Sequence, residues 1–226
     1  MFFYKKEKKL KIDKNKKTII FDFDGTLADT FEHLLDVIDA YSGDFGVELA
    51  DKKMLDELRQ LSARELFKKF HIPFFLIPFI VNKIQKSMGE RIDDIYPFYD
   101  VVDAIKKVRN KYNIGLLSTN SLQNLNKFLE KENIKDIFDF VLSEKNVFGK
   151  DKPINSIILQ NGINKMNIIY IGDEIRDVEA CRKVGIEIIS VGWGFNSEKI
   201  LRKINEKNFV SDANQMISKI KQILGD

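Results

Sequence analysis

Cysteine is almost absent from this 226-residue chain, and so is any long apolar run. The one cysteine, Cys181, cannot close an internal disulfide, which fits a reducing cytoplasm. No histidine lies near it in sequence, and its neighbours Ala180 and Val184 continue a helical apolar pattern. Cys181 therefore reads as a small core residue rather than a nucleophile. The longest apolar stretch, residues 72–81, is broken by Pro73 and Pro78 and is too short to cross a bilayer, which argues against a membrane role. The body of the chain also lacks an excess of basic charge. The formal net charge is +3, but residues 1–17 hold eight lysines against Glu7 and Asp13, so the remainder is about −3. No nucleic-acid partner is expected from such a body. Where a signal peptide would carry its apolar stretch, the first residues carry lysines. They read as a basic extension, with Phe2, Phe3 and Leu10 placed to pair onto a sheet edge.

What the chain does carry is the pentapeptide Asp22-Phe23-Asp24-Gly25-Thr26, directly behind the apolar run Ile19-Ile20-Phe21. Two carboxylates two residues apart on an extended segment share a face. Like charges this close are costly unless a cation sits between them or one is protonated. Gly25 permits a sharp reversal and Thr26 adds a hydroxyl at the turn. Open α/β sheets place their chemistry at strand ends of this kind.

The apolar content of 44% and charged content of 31% are those of an ordinary globular protein, with length for one domain or one domain plus an insertion. From Tyr99 onward, strand-like runs at 114–117, 138–142, 168–171 and 187–191 alternate with helical patterns. These patterns cover 101–109, 121–130, 153–160, 176–184, 197–204 and 213–223. The alternation predicts an α/β fold, a Rossmann-like parallel sheet with helices on both faces and residues 19–23 as its first strand. Residues 30–95 break it. Segments 30–41, 52–70 and 79–90 all read as helices, with no strand signal between them. The expected organisation is a basic extension over 1–17, a core of 18–29 and 96–226, and an inserted all-helical cap over 30–95 that stands above the acidic strand end as a lid.

Three further strand ends carry polar groups: Ser118-Thr119-Asn120, the loop Gly149-Lys150-Asp151-Lys152-Pro153, and Gly172-Asp173-Glu174 followed by Arg176 and Asp177. Strands of a parallel sheet point the same way, so these ends converge on one edge. That edge holds carboxylates, a hydroxyl with backbone donors at a helix start, and a lysine, the parts that bind a divalent cation and a phosphoryl group. With DFDGTLADT at 22–30, LLSTNS at 116–121, FGKDKP at 148–153 and IGDEIRD at 171–177, in that order, the chain resembles the haloacid dehalogenase superfamily in its capped phosphatase branch. VGWGF at 191–195 is similar to phosphoglycolate-phosphatase-type members, and the resemblance covers residues 18–223.

The resemblance implies roles at matching positions. Asp22 is the expected nucleophile, and Asp24 the acid that protonates the leaving oxygen and then the base that activates water. Ser118, with backbone donors at Thr119 and Asn120, is expected to hold the phosphoryl oxygens, and Lys150 to neutralise them. The expected cofactor is Mg²⁺, held by Asp22, Asp173 and the backbone carbonyl of Asp24. Oxygen-only ligands suit a hard cation.

Some positions stay open. The lysine is Lys150 or Lys152. With a helix beginning at Pro153, the resemblance, in which the lysine lies a few residues ahead of that proline, implies Lys150, although Lys152 beside Pro153 also resembles a common family spelling. Asp177 orders metal-bound water or caps its own helix, and Glu174 points elsewhere. His33 and His71 read as structural or solvent-facing. Arg59 and Arg64 either reach an anionic substrate or pair with Asp56, Glu57 or Glu65 on their own helix. The leading function is a Mg²⁺-dependent phosphohydrolase for a small phosphorylated metabolite such as phosphoglycolate, acting as a monomer or homodimer. A phosphomutase shares every core residue and is the rival enzyme. A non-catalytic phosphate-binding or scaffolding protein predicts a damaged site, and no essential group is missing here. A dehalogenase needs neither a second acid nor a metal, yet Asp24 and Asp173 are present.

Overall fold

The computed structural model of the protein describes residues 10–40, 43, 52–144, 146 and 148–225. Six strands form one sheet: β1 (Lys17–Phe21), β2 (Tyr112–Ser118), β3 (Phe140–Ser143), β4 (Ile168–Gly172), β5 (Glu187–Val191) and β6 (Phe209–Val210). Their order is β3-β2-β1-β4-β5-β6, and every neighbouring pair is parallel. The chain begins in the middle of the sheet and winds outward in both directions, so the crevice of the doubly wound fold opens between the ends of β1, β2 and β4.

Alternation within the strands explains the two-faced core. Ile19, Phe21, Ile114, Leu116, Ile169 and Ile171 point into one apolar layer, while Ile20, Leu117, Ile168 and Tyr170 point into the other. The first layer is covered by α5 (Tyr99–Val108), α6 (Leu122–Lys131) and α10 (Ala213–Leu224); α7 (Asp151–Asn161) and α8 (Ile175–Val184) cover the second. Strands buried on both faces in this way need near-continuous apolar sequence, which they have. Helix α6 shows the local logic. Ser121 caps it by accepting from the Asn124 N–H at 3.1 Å, and Leu125, Phe128 and Leu129 recur at helical spacing on its buried side. Each such burial is worth about 1.5–3 kcal/mol. Helix α9 (Glu198–Asn205) completes the core and packs against β5.

Between β1 and α5 lie α1 (Phe31–Ala40), α2 (Lys52–Leu58), α3 (Ala63–Lys69) and α4 (Ile77–Glu90), with no strand element among the described residues. The chain leaves and returns side by side. Asp29 N–H donates to Tyr96 O and Phe98 N–H to Leu27 O, each at 2.9 Å, and Ala28 bridges Pro97 antiparallel. No helix among the described residues is long and apolar enough to cross a membrane.

Several elements differ from the sequence expectation. The helix expected over 52–70 is two helices, because Ser62 and Glu65 form a reciprocal cap that starts α3 afresh. Strand β1 stops at Phe21, so both acids of the pentapeptide lie on the turn beyond it. Helix α7 starts at Asp151, which places Pro153 at its third residue rather than its first. Strand β6 was not expected, since two residues carry no periodicity. Leu10 and Ile12 pack against the second apolar layer without strand pairing. Phe2, Phe3 and Tyr41 lie outside the described residues.

Candidate active site

Asp22 is the first residue past β1, and its N–H donates to Ile171 O at 2.9 Å, which sets it against the end of β4. Lys150 arrives from the loop before α7 and is just as deeply buried. Its ammonium donates to the Asp22 carboxylate and, at 2.7 Å, to the Tyr170 hydroxyl, and it lies 3.0 Å from Asp177 Oδ1. Tyr170 in turn donates to Leu117 O at 3.1 Å, so the lysine is anchored across three strands. Lys152 is exposed. The geometry therefore separates the two lysines that the sequence left open.

Asp173 follows β4 and accepts from Thr26 Oγ1 and from the Phe195 N–H, each at 2.7 Å. The backbone presses in on both sides. Gly25 has φ +72°, and a Cβ there would sit 2.4 Å from Asp173 Oδ2; a Cβ at Gly194 would sit 2.2 Å from it. Only glycine allows that left-handed turn and that approach. Asp24 turns the other way, within 3.4 Å of Ser118 Oγ and 3.5 Å of Asn120 Nδ2. The Asn120 N–H donates to Ser118 Oγ at 2.9 Å.

Five carboxylates, of Asp22, Asp24, Asp173, Glu174 and Asp177, share this region with two cations, Lys150 and Arg176. Burial pushes Asp22 from 3.8 up to about 7, against the pull of Lys150. Burial also raises Asp24, opposed by Arg176 and Lys150. It raises Asp173 far more, with Glu174, Asp22 and Asp177 adding to the effect. Burial alone would lower Lys150, but Asp177 and Asp22 outweigh it and its value rises. A divalent cation fits this imbalance. Carboxylate oxygens of Asp22, Asp173 and Asp177 lie within 4.8 Å of one another, and all are hard donors. Asp177 has other work as well, since it accepts from the Glu174 N–H at 3.2 Å at the head of α8 and pairs with Lys150.

A cavity of about 260 Å³ opens over Asp24. Asp24, Gly25, Thr119, Asn120 and Arg176 form its floor, and the inserted helices form its walls. Arg59 does not line this cavity. It donates to Phe195 O and Gly194 O, each at 2.9 Å, and stacks 4.8 Å from the centre of the Phe31 ring. Arg64 lies over Phe148, and neither His33 nor His71 lines this cavity. Sequence reasoning gave no role to three residues here. Tyr170 reads as an ordinary strand residue, and Arg176, ion-paired to Glu174, shows only its nearness to Asp173. Asn196 follows the VGWGF phrase. It accepts from the Ile175 N–H at 2.8 Å and donates to the carbonyls of Arg59 and Leu61, which ties α8 to the inserted segment.

Fold and site together define an α/β enzyme with its chemistry at one sheet edge. The family model of haloacid dehalogenase-like hydrolases matches residues 19–191. The chain belongs to that family. It is similar to a phosphoglycolate phosphatase of Synechococcus elongatus, 31% identical over 186 residues that cover 82% of this chain and 88% of that one. A pyrophosphatase of Oceanobacillus iheyensis is 19% identical over 227 residues, covering 93% and 97%. A haloacid dehalogenase-like family hydrolase from Streptococcus pneumoniae has the same fold, with a TM-score of 0.73 at 18% identity and coverage of 90% and 97%.

Proposed function

We propose that this chain is a Mg²⁺-dependent phosphatase that hydrolyses the phosphate monoester of a small metabolite through a phosphorylated Asp22. The observation that carries the reading is the buried Asp22–Lys150 pair set inside a cluster of excess carboxylates. In the first step an Asp22 carboxylate oxygen attacks phosphorus, and the bond from phosphorus to the ester oxygen breaks. Asp24, whose raised pKa helps it keep a proton, gives that proton to the departing oxygen. In the second step water attacks the same phosphorus, Asp24 takes the water's proton, and the bond to Asp22 breaks. Splitting the hydrolysis in this way replaces one difficult displacement by two easier ones. Ser118 and the N–H groups of Thr119 and of Asn120, the latter on leaving Ser118 Oγ, hold the phosphoryl oxygens, and Lys150 favours the ionised form of Asp22 and offsets charge on the transferring group. Asp22, Asp173 and the Asp24 carbonyl would hold the Mg²⁺, and Asp177, whose carboxylate lies within 4.8 Å of those of Asp22 and Asp173, would add to the negative charge around it. The metal supplies charge neutralisation at the phosphoryl oxygens.

The inserted helices act as the cap, and the setting is a cytoplasmic monomer or homodimer that engages neither nucleic acid nor membrane. Phosphoglycolate, the substrate named for similar proteins, is the first ester to test. The test is turnover of a panel of phosphorylated metabolites, with chelator, with Mg²⁺ and with Ca²⁺. Activity is expected to vanish with the chelator, return with Mg²⁺ and stay low with Ca²⁺, whose longer bonds and larger shell loosen the in-line geometry. Full turnover in strong chelator contradicts the metal's role.

A further inference from the structure

The wall of the cavity over Asp24 is almost wholly apolar. Leu34 and Leu35 come from α1, Leu66 and Phe67 from α3, and Ile80 and Ile84 from α4. Among the described residues, the charged groups on the lining are Asp24, Glu174 and Arg176, and all three belong to the sheet edge rather than to the inserted helices. Arg59, a cation of the inserted segment, does not line the cavity and donates from Nε and Nη2 to the carbonyls of Phe195 and Gly194. A phosphoryl group seated between Asp22 and Ser118 sends its ester substituent upward from Asp24, into this wall. Arg176, the cation on the lining, sits at the floor and is paired with Glu174. A carboxylate carried up to the wall would therefore lose water with no cation beside it, which is costly, whereas each methylene gains.

We infer that the leaving group is an uncharged, apolar alcohol, so that the substrates are short alkyl or aryl phosphates rather than phosphoglycolate. The inference rests on the phosphatase reading for its chemistry, but the apolar subsite stands on the cavity wall. At about 30 Å³ per water-sized group, 260 Å³ holds roughly eight or nine such groups. The phosphoryl group takes about four of them, which leaves room for about four or five carbons.

Ethyl, butyl and hexyl phosphate have nearly equal leaving groups and differ in apolar length, so they isolate the wall from the chemistry. With the full chain and Mg²⁺, kcat/KM is expected to rise about fourfold per methylene from ethyl to butyl, level off between butyl and hexyl, and exceed that of phosphoglycolate. Calorimetry with the unreactive ethyl-, butyl- and hexylphosphonates, against phosphonoacetate, reads the same subsite without turnover. Turnover that is flat across the alkyl series and highest for phosphoglycolate overturns the inference and leaves the phosphatase reading intact. No turnover of any ester, with phosphonate affinity still rising with length, overturns the phosphatase reading and upholds the apolar subsite. No turnover and no dependence of affinity on length overturns both.

Discussion

The C-terminal edge of the sheet and the inserted helices hold their side chains in opposite ways. At the edge, Asp22, Lys150, Asp173 and Asp177 are wholly buried, and each is fixed by a hydrogen bond or ion pair from another element or from its own helix end. In the inserted helices the cavity-facing Leu34, Leu35, Leu66 and Ile84 are only half-buried, and Phe74, Phe75 and Phe79 are 75%, 70% and 69% exposed. One region positions charge, and the other offers apolar surface with few directional contacts. On the proposed function, reaction type belongs to the first and choice of substrate to the second. The two meet at the loop after β5. Phe195 donates its N–H to Asp173 while its carbonyl receives Arg59, so the docking of the inserted helices and the placing of Asp173 share one residue.

The comparison predicts unequal consequences for substitutions. Asp22→Asn removes the proposed nucleophile and is expected to lower kcat by on the order of 10⁴-fold or more, whatever the substrate. A loss that varied strongly with the leaving group would transfer the decisive role away from the edge. Lys150→Met comes next. It leaves Asp22 and Asp177 facing each other without their cation, and breaking a buried pair costs about 3–5 kcal/mol. Chemical denaturation of the metal-free protein should show that loss. A variant as stable as the wild type would mean that the pair contributes nothing net.

The acids also make stability depend on pH. In the metal-free chain Asp22 releases its proton near 7 when folded but near 3.8 when unfolded. Between those values the folded state binds more protons, so stability falls as pH rises through the window and stays low above it. Mg²⁺ competes with the proton, so the gain in Tm on adding it should be small at about pH 5 and large at about pH 8. A gain independent of pH would place the metal away from Asp22. The smallest effect is expected in the inserted helices. Leu66→Ala on the half-buried wall should cost about 1 kcal/mol or less of stability, measured by the same denaturation. A cost as large as that of Lys150→Met would erase the contrast between the two regions.

The same contrast governs how much could be read beforehand. Strand alternation and the order of the polar strand ends foretold the parallel sheet and brought Asp22, Ser118, Lys150 and Asp173 to one edge, because a parallel sheet leaves no other place for them. Tyr170 escaped notice since a buried tyrosine in a strand is ordinary until a lysine is found on its hydroxyl. The break at Ser62 went unread because apolar spacing runs across it, while the reciprocal cap with Glu65 that starts α3 is local chemistry. Arg59 had acids on its own helix, and nothing in the sequence indicated that backbone carbonyls 135 and 136 residues away would take its N–H groups.

The covalent role of Asp22 is the central claim, and trapping tests it most directly. On the proposed mechanism Asp24→Asn removes the acid and base but leaves the nucleophile, so an aryl phosphate with a good leaving group should still react while hydrolysis slows by roughly 10²–10⁴-fold. After brief exposure to such an ester with Mg²⁺ and rapid acid quench, mass spectrometry of Asp24→Asn should find one added phosphoryl group on Asp22. Asp22→Asn treated in the same way should carry none. No phosphorylated Asp22 in the Asp24→Asn protein, at equal residual rates for the two variants, would mean that water attacks phosphorus directly and that Asp22 is no nucleophile.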